Sequence, residues 1–421
     1  MNDYRTTRRR LLQAGATAGV IAAAGCVGDD AEPAGYEVWA LDQGTDTAYI
    51  YEPTDDDGFD LLEEIDFNAF DGVPDEEVVP HMVDFSTDYA YAAIACTLGE
   101  RTLVLDTETR ELVANLETGA GSHFAGFSPD DEYLHVDAIG EGEIVRIDAD
   151  LDEEHFEVVD AIDVLDDDTV QAAGVDSGAP ICHQYAHDGR SLHTLGPSYF
   201  DGALVIVDHD DFTVDRAWSG EDLPTNCGTV PHPEEEKFYL TAGLPSDPDA
   251  DPDEEPVAAE GVGHYYVYDT ANDEILVEAG DTGGVDAHGF WFTPDGEELW
   301  VLNRETNDGV VIDPDTDEVI DEIDAFGPDT APAPDGDAPD IMWASPDGEY
   351  VFVTLRGPEP LSGDPHAATG ENPGFSVLDA ETKEIVEVIQ PDGDNADSDF
   401  HAVGVRVTGE FETDIPSSPP Y

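Results

Sequence analysis

Two short patterns recur along this chain, and a chain built from copies of one unit must bury its apolar strands against those copies. The first is an apolar run closed by an acid and then by turn residues, as in Tyr49-Ile50-Tyr51-Glu52, Leu103-Val104-Leu105-Asp106 and Val145-Arg146-Ile147-Asp148. It returns at Asp208, Asp269, Asp313 and Asp379, which makes seven copies. Each acid is followed by polar residues suited to a tight hairpin turn and then by a further strand. The second pattern is an apolar strand running into Ser-Pro-Asp-Gly or a relative of it, at His123–Asp130, His288–Gly296 and Asp340–Gly348. Weaker copies begin at His81, near His183 and at Cys227, and a last one runs from His401 to Gly409.

Four antiparallel strands per unit, repeated in this way, predict an all-β, seven-bladed β-propeller over residues 36–409. The unit that begins at Tyr36 lacks an opening strand of its own, so the strand near His401 is expected to complete it and close the ring. The motifs resemble those of the YVTN, or YncE-like, propeller family, a fold group that also holds the propellers of nitrous-oxide reductase and cytochrome d1. The resemblance covers nearly the whole body of the chain and speaks to architecture. Two insertions, Pro245–Glu260 and Pro358–Pro373, are expected as long hairpin loops on the rim. Asp247, Asp249, Asp251 and Asp253 carry oxygens suited to calcium, but their spacing matches no known calcium loop, and a solvated acidic loop is the better reading.

The charge is extreme: 14 Lys plus Arg stand against 100 Asp plus Glu, a formal net charge of −86. No basic patch for a phosphate backbone can be assembled, which excludes a nucleic-acid binder. Only Lys237 and Lys383 are lysines, and acids occupy every segment, so the composition resembles that of proteins from extreme halophiles, where multimolar salt screens self-repulsion. At the N-terminus, Thr7-Arg8-Arg9-Arg10-Leu11-Leu12 resembles a twin-arginine export motif, and an apolar stretch from Ala14 to Ala24 leads to Gly25 and Cys26. That stretch is too short to span a bilayer as a helix. The resemblance implies a signal peptide over residues 1–25, a lipidated Cys26 with a linker to residue 35, and a protein exported and anchored to the outer face of the cytoplasmic membrane. Residues 410–421 read as a disordered tail.

Aligning the units on the Pro-Asp-Gly turn brings His81, His123, Cys227, His288, Asp340 and His401 into one register, seven positions before the turn acid where one is present. The remaining unit places Ile181 there, followed by Cys182 and His183. In a propeller these positions lie near the start of the innermost strands, so the expected arrangement is a ring at one mouth of the channel. Imidazole, thiolate and carboxylate donors converging from separate blades suit copper, zinc or iron. The resemblance sharpens this, because nitrous-oxide reductase holds copper with propeller histidines and cytochrome d1 holds a tetrapyrrole in a similar place. The alternative is a ring that satisfies strand ends around a water-lined channel, as in YVTN-like propellers with no known metal. His135 and His193 are expected to pack between blades. Cys182 and Cys227 lie on neighbouring innermost strands and could pair as a disulfide, which would remove Cys227 as a ligand and leave Cys96 free. No Gly-x-Ser-x-Gly, Ser-x-x-Lys or phosphate-binding loop stands in a plausible context, so the reading leans away from an enzyme. It favours a membrane-anchored module that binds a protein or small molecule at the channel mouth. The alternative is a redox-associated protein with copper, another transition metal or a tetrapyrrole at the histidine ring.

Overall fold

The computed structural model describes residues 35–411, apart from 55–57, 75–77, 198, 392–394 and 410. The export motif, Cys26 and nearly all of the C-terminal tail lie outside the described residues. No helix among the described residues is long and apolar enough to cross a membrane.

Seven four-stranded antiparallel sheets form the seven blades. Blades II to VII each use four consecutive strands, and blade I is composite, with Phe400–Val407 pairing with Tyr36–Asp42. The first strands of adjacent blades touch all the way round, so they form the inner wall of a closed ring. Burial follows the radius: Tyr91–Cys96 in blade II is buried at every position, whereas the outermost strand Glu318–Ile323 of blade VI is exposed at all but its last residue.

The two recurrent motifs build the turns. The acid that ends the third strand turns the chain back by accepting amide hydrogens from the hairpin. Asp106 takes them from Glu108 at 3.0 Å and Thr109 at 2.7 Å, and Asp379 takes one from Thr382 at 2.7 Å. The hairpins close through a residue in the left-handed region, such as Arg110 at φ 62° and Lys383 at φ 60°. In the second motif the hydroxyl bridges the turn: Ser128 donates to Asp130 and accepts from the Tyr133 amide, and Ser345 does the same with Asp347 and Tyr350.

A third recurrent feature positions the functional residues. The pairing of the innermost strand with its neighbour shifts register at Pro80/Met82, Ser122/Phe124, Pro180/Cys182, Ala287/Phe290 and Pro339/Met342. The final strand skips His401 in the same way, between Phe400 and Ala402. The residues stepped over therefore include His81, His123, Ile181, His288, Asp340 and His401. A bulge of this kind re-aims a side chain that regular alternation would send elsewhere.

Candidate binding site at the channel mouth

Six of these register positions, His81, His123, Ile181, Cys227, His288 and His401, line one cavity of about 810 Å³ at the channel mouth. The seventh, Asp340, is fully buried beside them, 2.9 Å from His288 Nε2 and 3.6 Å from His401 Nε2. The rings are closely associated. His81 Nε2 lies 2.8 Å from His123 Nε2, the His81 and His401 rings stack at 3.6 Å, and His401 Nδ1 donates to the His81 carbonyl at 3.0 Å. Gln43 is hydrogen-bonded to His81 Nδ1.

The predicted position of His183 differs. It lies away from the ring, with Nδ1 2.5 Å from Asp137 Oδ2, while His193 Nδ1 sits 2.6 Å from the other oxygen of that carboxylate. Ser191 then links His193 to His135, so blades III and IV share a fully buried polar network. The physical reason is strand alternation: Ile181 fills the bulge, and His183 turns into the space beside Gly126, where an added Cβ would sit 2.9 Å from its Nε2. In its place the structure brings in Cys182. Its Sγ is 3.7 Å from His123 Nδ1 and 2.8 Å from Cys227 Sγ, and both cysteines are free thiols. His135 and His193 do pack at a blade junction.

Charge at the mouth is balanced by two arginines that the repeat register of the sequence does not mark. Arg356, fully buried, pairs with Asp340 at 2.6 Å and with Asp399 at 2.8 Å. Arg304 pairs with Asp286 at 2.8 Å and lies 3.5 Å from Asp340. Burial alone would raise the Asp340 pKa, but His401, His288, Arg356 and Arg304 hold it well below the usual carboxylate range. Burial and Arg304 work against protonation of His288, yet Asp340 and Cys227 hold its pKa up at about 9. His81 and His401 are driven the other way, chiefly by burial, and stay neutral. In the cysteine pair the Cys227 thiol is pulled down by the hydrogen bond from Cys182 and by the nearby His288, while burial and that same partner push Cys182 up.

The walls of the cavity come from the two insertions expected as rim loops. Pro245 and Pro248 contribute from one side, next to Leu244 at the end of the strand Lys237–Leu244, and Leu361 and Pro365 from the other, with Phe200 and Leu98 at the rim. Ser246 and His366 tie the loops together by meeting at Glu305: the Ser246 amide donates to it at 2.6 Å, and His366 Nε2 lies 3.5 Å away. Asp247 and Asp251 cap amides of their own loop, as an exposed acidic turn does. Apolar walls over a polar floor, at this volume, are the usual form of a small-molecule site.

No protein-family model matches the chain, and no curated protein matches it. Among solved structures, the chain is similar to dihydro-heme d1 dehydrogenase NirN in complex with DHE, at 14% identity and a TM-score of 0.56, covering 90% of this chain and 76% of that one. It is also similar to hydrazine synthase of Kuenenia stuttgartiensis, at 13% identity and a TM-score of 0.50, covering 78% of this chain and 99% of that one. At such identities the likeness is one of fold, and it agrees with the strand topology: the chain is a seven-bladed β-propeller.

Proposed function

We propose that this protein is an exported, lipid-anchored, YVTN-like propeller of a high-salt organism, and that it binds a tetrapyrrole-class ligand in its channel mouth. One observation carries the reading: a cavity of about 810 Å³ combines apolar walls with a floor of imidazoles and with Arg304. A macrocycle with peripheral carboxylates has an apolar body for such walls and acid groups for the N–H donors of Arg304 and His288. His288 and Arg304 are the cationic groups that line the cavity and would receive a carboxylate, the imidazole being held protonated beside Asp340 and Cys227. The bound complex recorded for NirN supports the same ligand class. A central metal, where the ligand carries one, would supply redox chemistry, and the neutral imidazole of His401, whose Nδ1 donates to the His81 carbonyl, would be the residue to hold it.

Titration of untagged protein with protoporphyrin IX, metal-free and ferric, tests this. Both should bind with micromolar or better affinity, and His288→Ala should weaken both at least tenfold, because a charge-assisted hydrogen bond contributes about 1.5–3 kcal/mol. A Soret shift confined to the ferric form would favour the redox role. Failure of both forms to bind would overturn the ligand class.

The export reading has its own test. Cys26→Ser should move the protein from the membrane fraction to the medium, and continued membrane attachment of that variant would count against lipidation.

A further inference from the structure

The geometry points to a soft-metal site of the copper(I) class formed by His123, Cys182 and Cys227 at the neck of the channel. This does not rest on the tetrapyrrole reading, since its donors stand on blades III, IV and V and the carboxylate of that ligand is assigned to His288 and Arg304.

Three observations carry it. First, a ring nitrogen of His123 and the two Sγ atoms all lie within 4.8 Å of one another, and His123 Nδ1 is 3.7 Å from Cys182 Sγ. Two sulfurs bound to one ion at about 2.3 Å each stand about 4 Å apart, so small side-chain rotations of this cluster suffice. Second, the surroundings are soft and dry. A small space of about 50 Å³ runs beneath the ring, and Cys182, Cys227, Met82 and Met342 all line it. Both methionines and two of the three cysteines among the described residues thus line one small space. Phe124 and Ile181 pack against the two cysteines, with Met82 beside them. Third, the donors are already oriented. His123 Nε2 is hydrogen-bonded to His81 Nε2 at 2.8 Å, which steers Nδ1 toward the sulfurs, and Thr194 Oγ1 donates to the Cys182 carbonyl at 3.1 Å.

The donor set selects among metals. Thiolate and thioether surroundings favour copper(I), whereas zinc prefers four donors in a tetrahedron. The other two clusters are less suited. Asp340 between His288 and His401 is already neutralised by Arg304 and Arg356, and Asp137 between His183 and His193 is enclosed in its own hydrogen-bonded network.

The test uses the full-length, untagged protein, reduced without oxygen and titrated with copper(I) against a colorimetric copper(I) chelator, with zinc(II) in a parallel arm. One equivalent of copper(I) should bind. Cys182→Ser and Cys227→Ser should each abolish it, His123→Ala should weaken it at least tenfold, and Cys96→Ser should leave it unchanged. Peptide mapping after alkylation of the wild-type protein reads the site without any variant: copper(I) should protect Cys182 and Cys227 together. Binding that survives both cysteine variants would overturn the site, as would a Cys182–Cys227 disulfide in protein isolated from membranes. Tighter zinc(II) binding with the same variant pattern would overturn the copper(I) assignment. Porphyrin titration of Cys182→Ser separates the two readings, since a ligand in the mouth should still bind when the copper site is gone.

Discussion

Deleting residues 400–421 should leave a chain that does not fold, whereas deleting residues 412–421 should leave the melting transition unchanged within about a degree. The strand Phe400–Val407 pairs with Tyr36–Asp42 at seven positions from Tyr36↔Val407 to Asp42↔Phe400, and it is the inner wall of blade I. Phe400, Ala402, Val403 and Val405 are all at most 1% exposed, in the cluster that joins blade I to blades II and VII. Burying a side chain of the larger kind contributes about 1.5–3 kcal/mol, so losing this strand removes an amount comparable with the whole net stability of about 5–15 kcal/mol typical of a domain. The deletion also leaves Tyr36–Asp42 as an unpaired edge in an open ring. Circular dichroism melting in multimolar salt checks both truncations. An unaltered transition after the longer deletion would contradict closure as the source of stability.

Replacing Arg356 by Met should cost about 3–5 kcal/mol, because it strands the buried carboxylates of Asp340 and Asp399 without their shared partner. The guanidinium holds both ends of Asp399 at 2.8 Å and Asp340 at 2.6 Å, and also donates to the Ser362 carbonyl at 2.9 Å. A lysine cannot reproduce that fork, so Arg356→Lys should recover only part of the loss. Adding Asp399→Asn to Arg356→Met should restore stability relative to the single variant. Salt should not rescue it, since a fully buried pair is screened far less than a surface one. Denaturant midpoints in low and high salt measure all of this, and a loss under about 1 kcal/mol would show that these charges are solvated.

The fold was legible because each blade repeats two turn devices whose chemistry is local: the acid that caps its hairpin at Asp106 or Asp379, and the hydroxyl that bridges Ser128 to Asp130. Composite closure was legible too, from a first unit without its opening strand and a last strand without a unit. The site was legible only in register. Aligning turns found His81, His123, Cys227, His288, Asp340 and His401, but strand alternation on either side of a bulge decides which neighbour faces the channel, and bulges leave no fixed residue signature. That is why His183 lies with Asp137 and Cys182 takes its expected place. Arg304 and Arg356 were hidden for a different reason: their partners are among many Asp and Glu residues, and only the three-dimensional structure picks out Asp286, Asp340 and Asp399. The rim insertions were recognisable as loops, yet their closure over the mouth depends on the Ser246–Glu305–His366 contact, which joins residues far apart in the chain.

The central claim is that the channel mouth is the ligand site, and a crystal structure of the protein soaked with ferric protoporphyrin IX tests it most directly. The account predicts the macrocycle between the loops at 245–260 and 358–373, with a propionate directed to His288 and Arg304. A macrocycle lodged on the outer face of the blades, with the mouth unchanged, would contradict it.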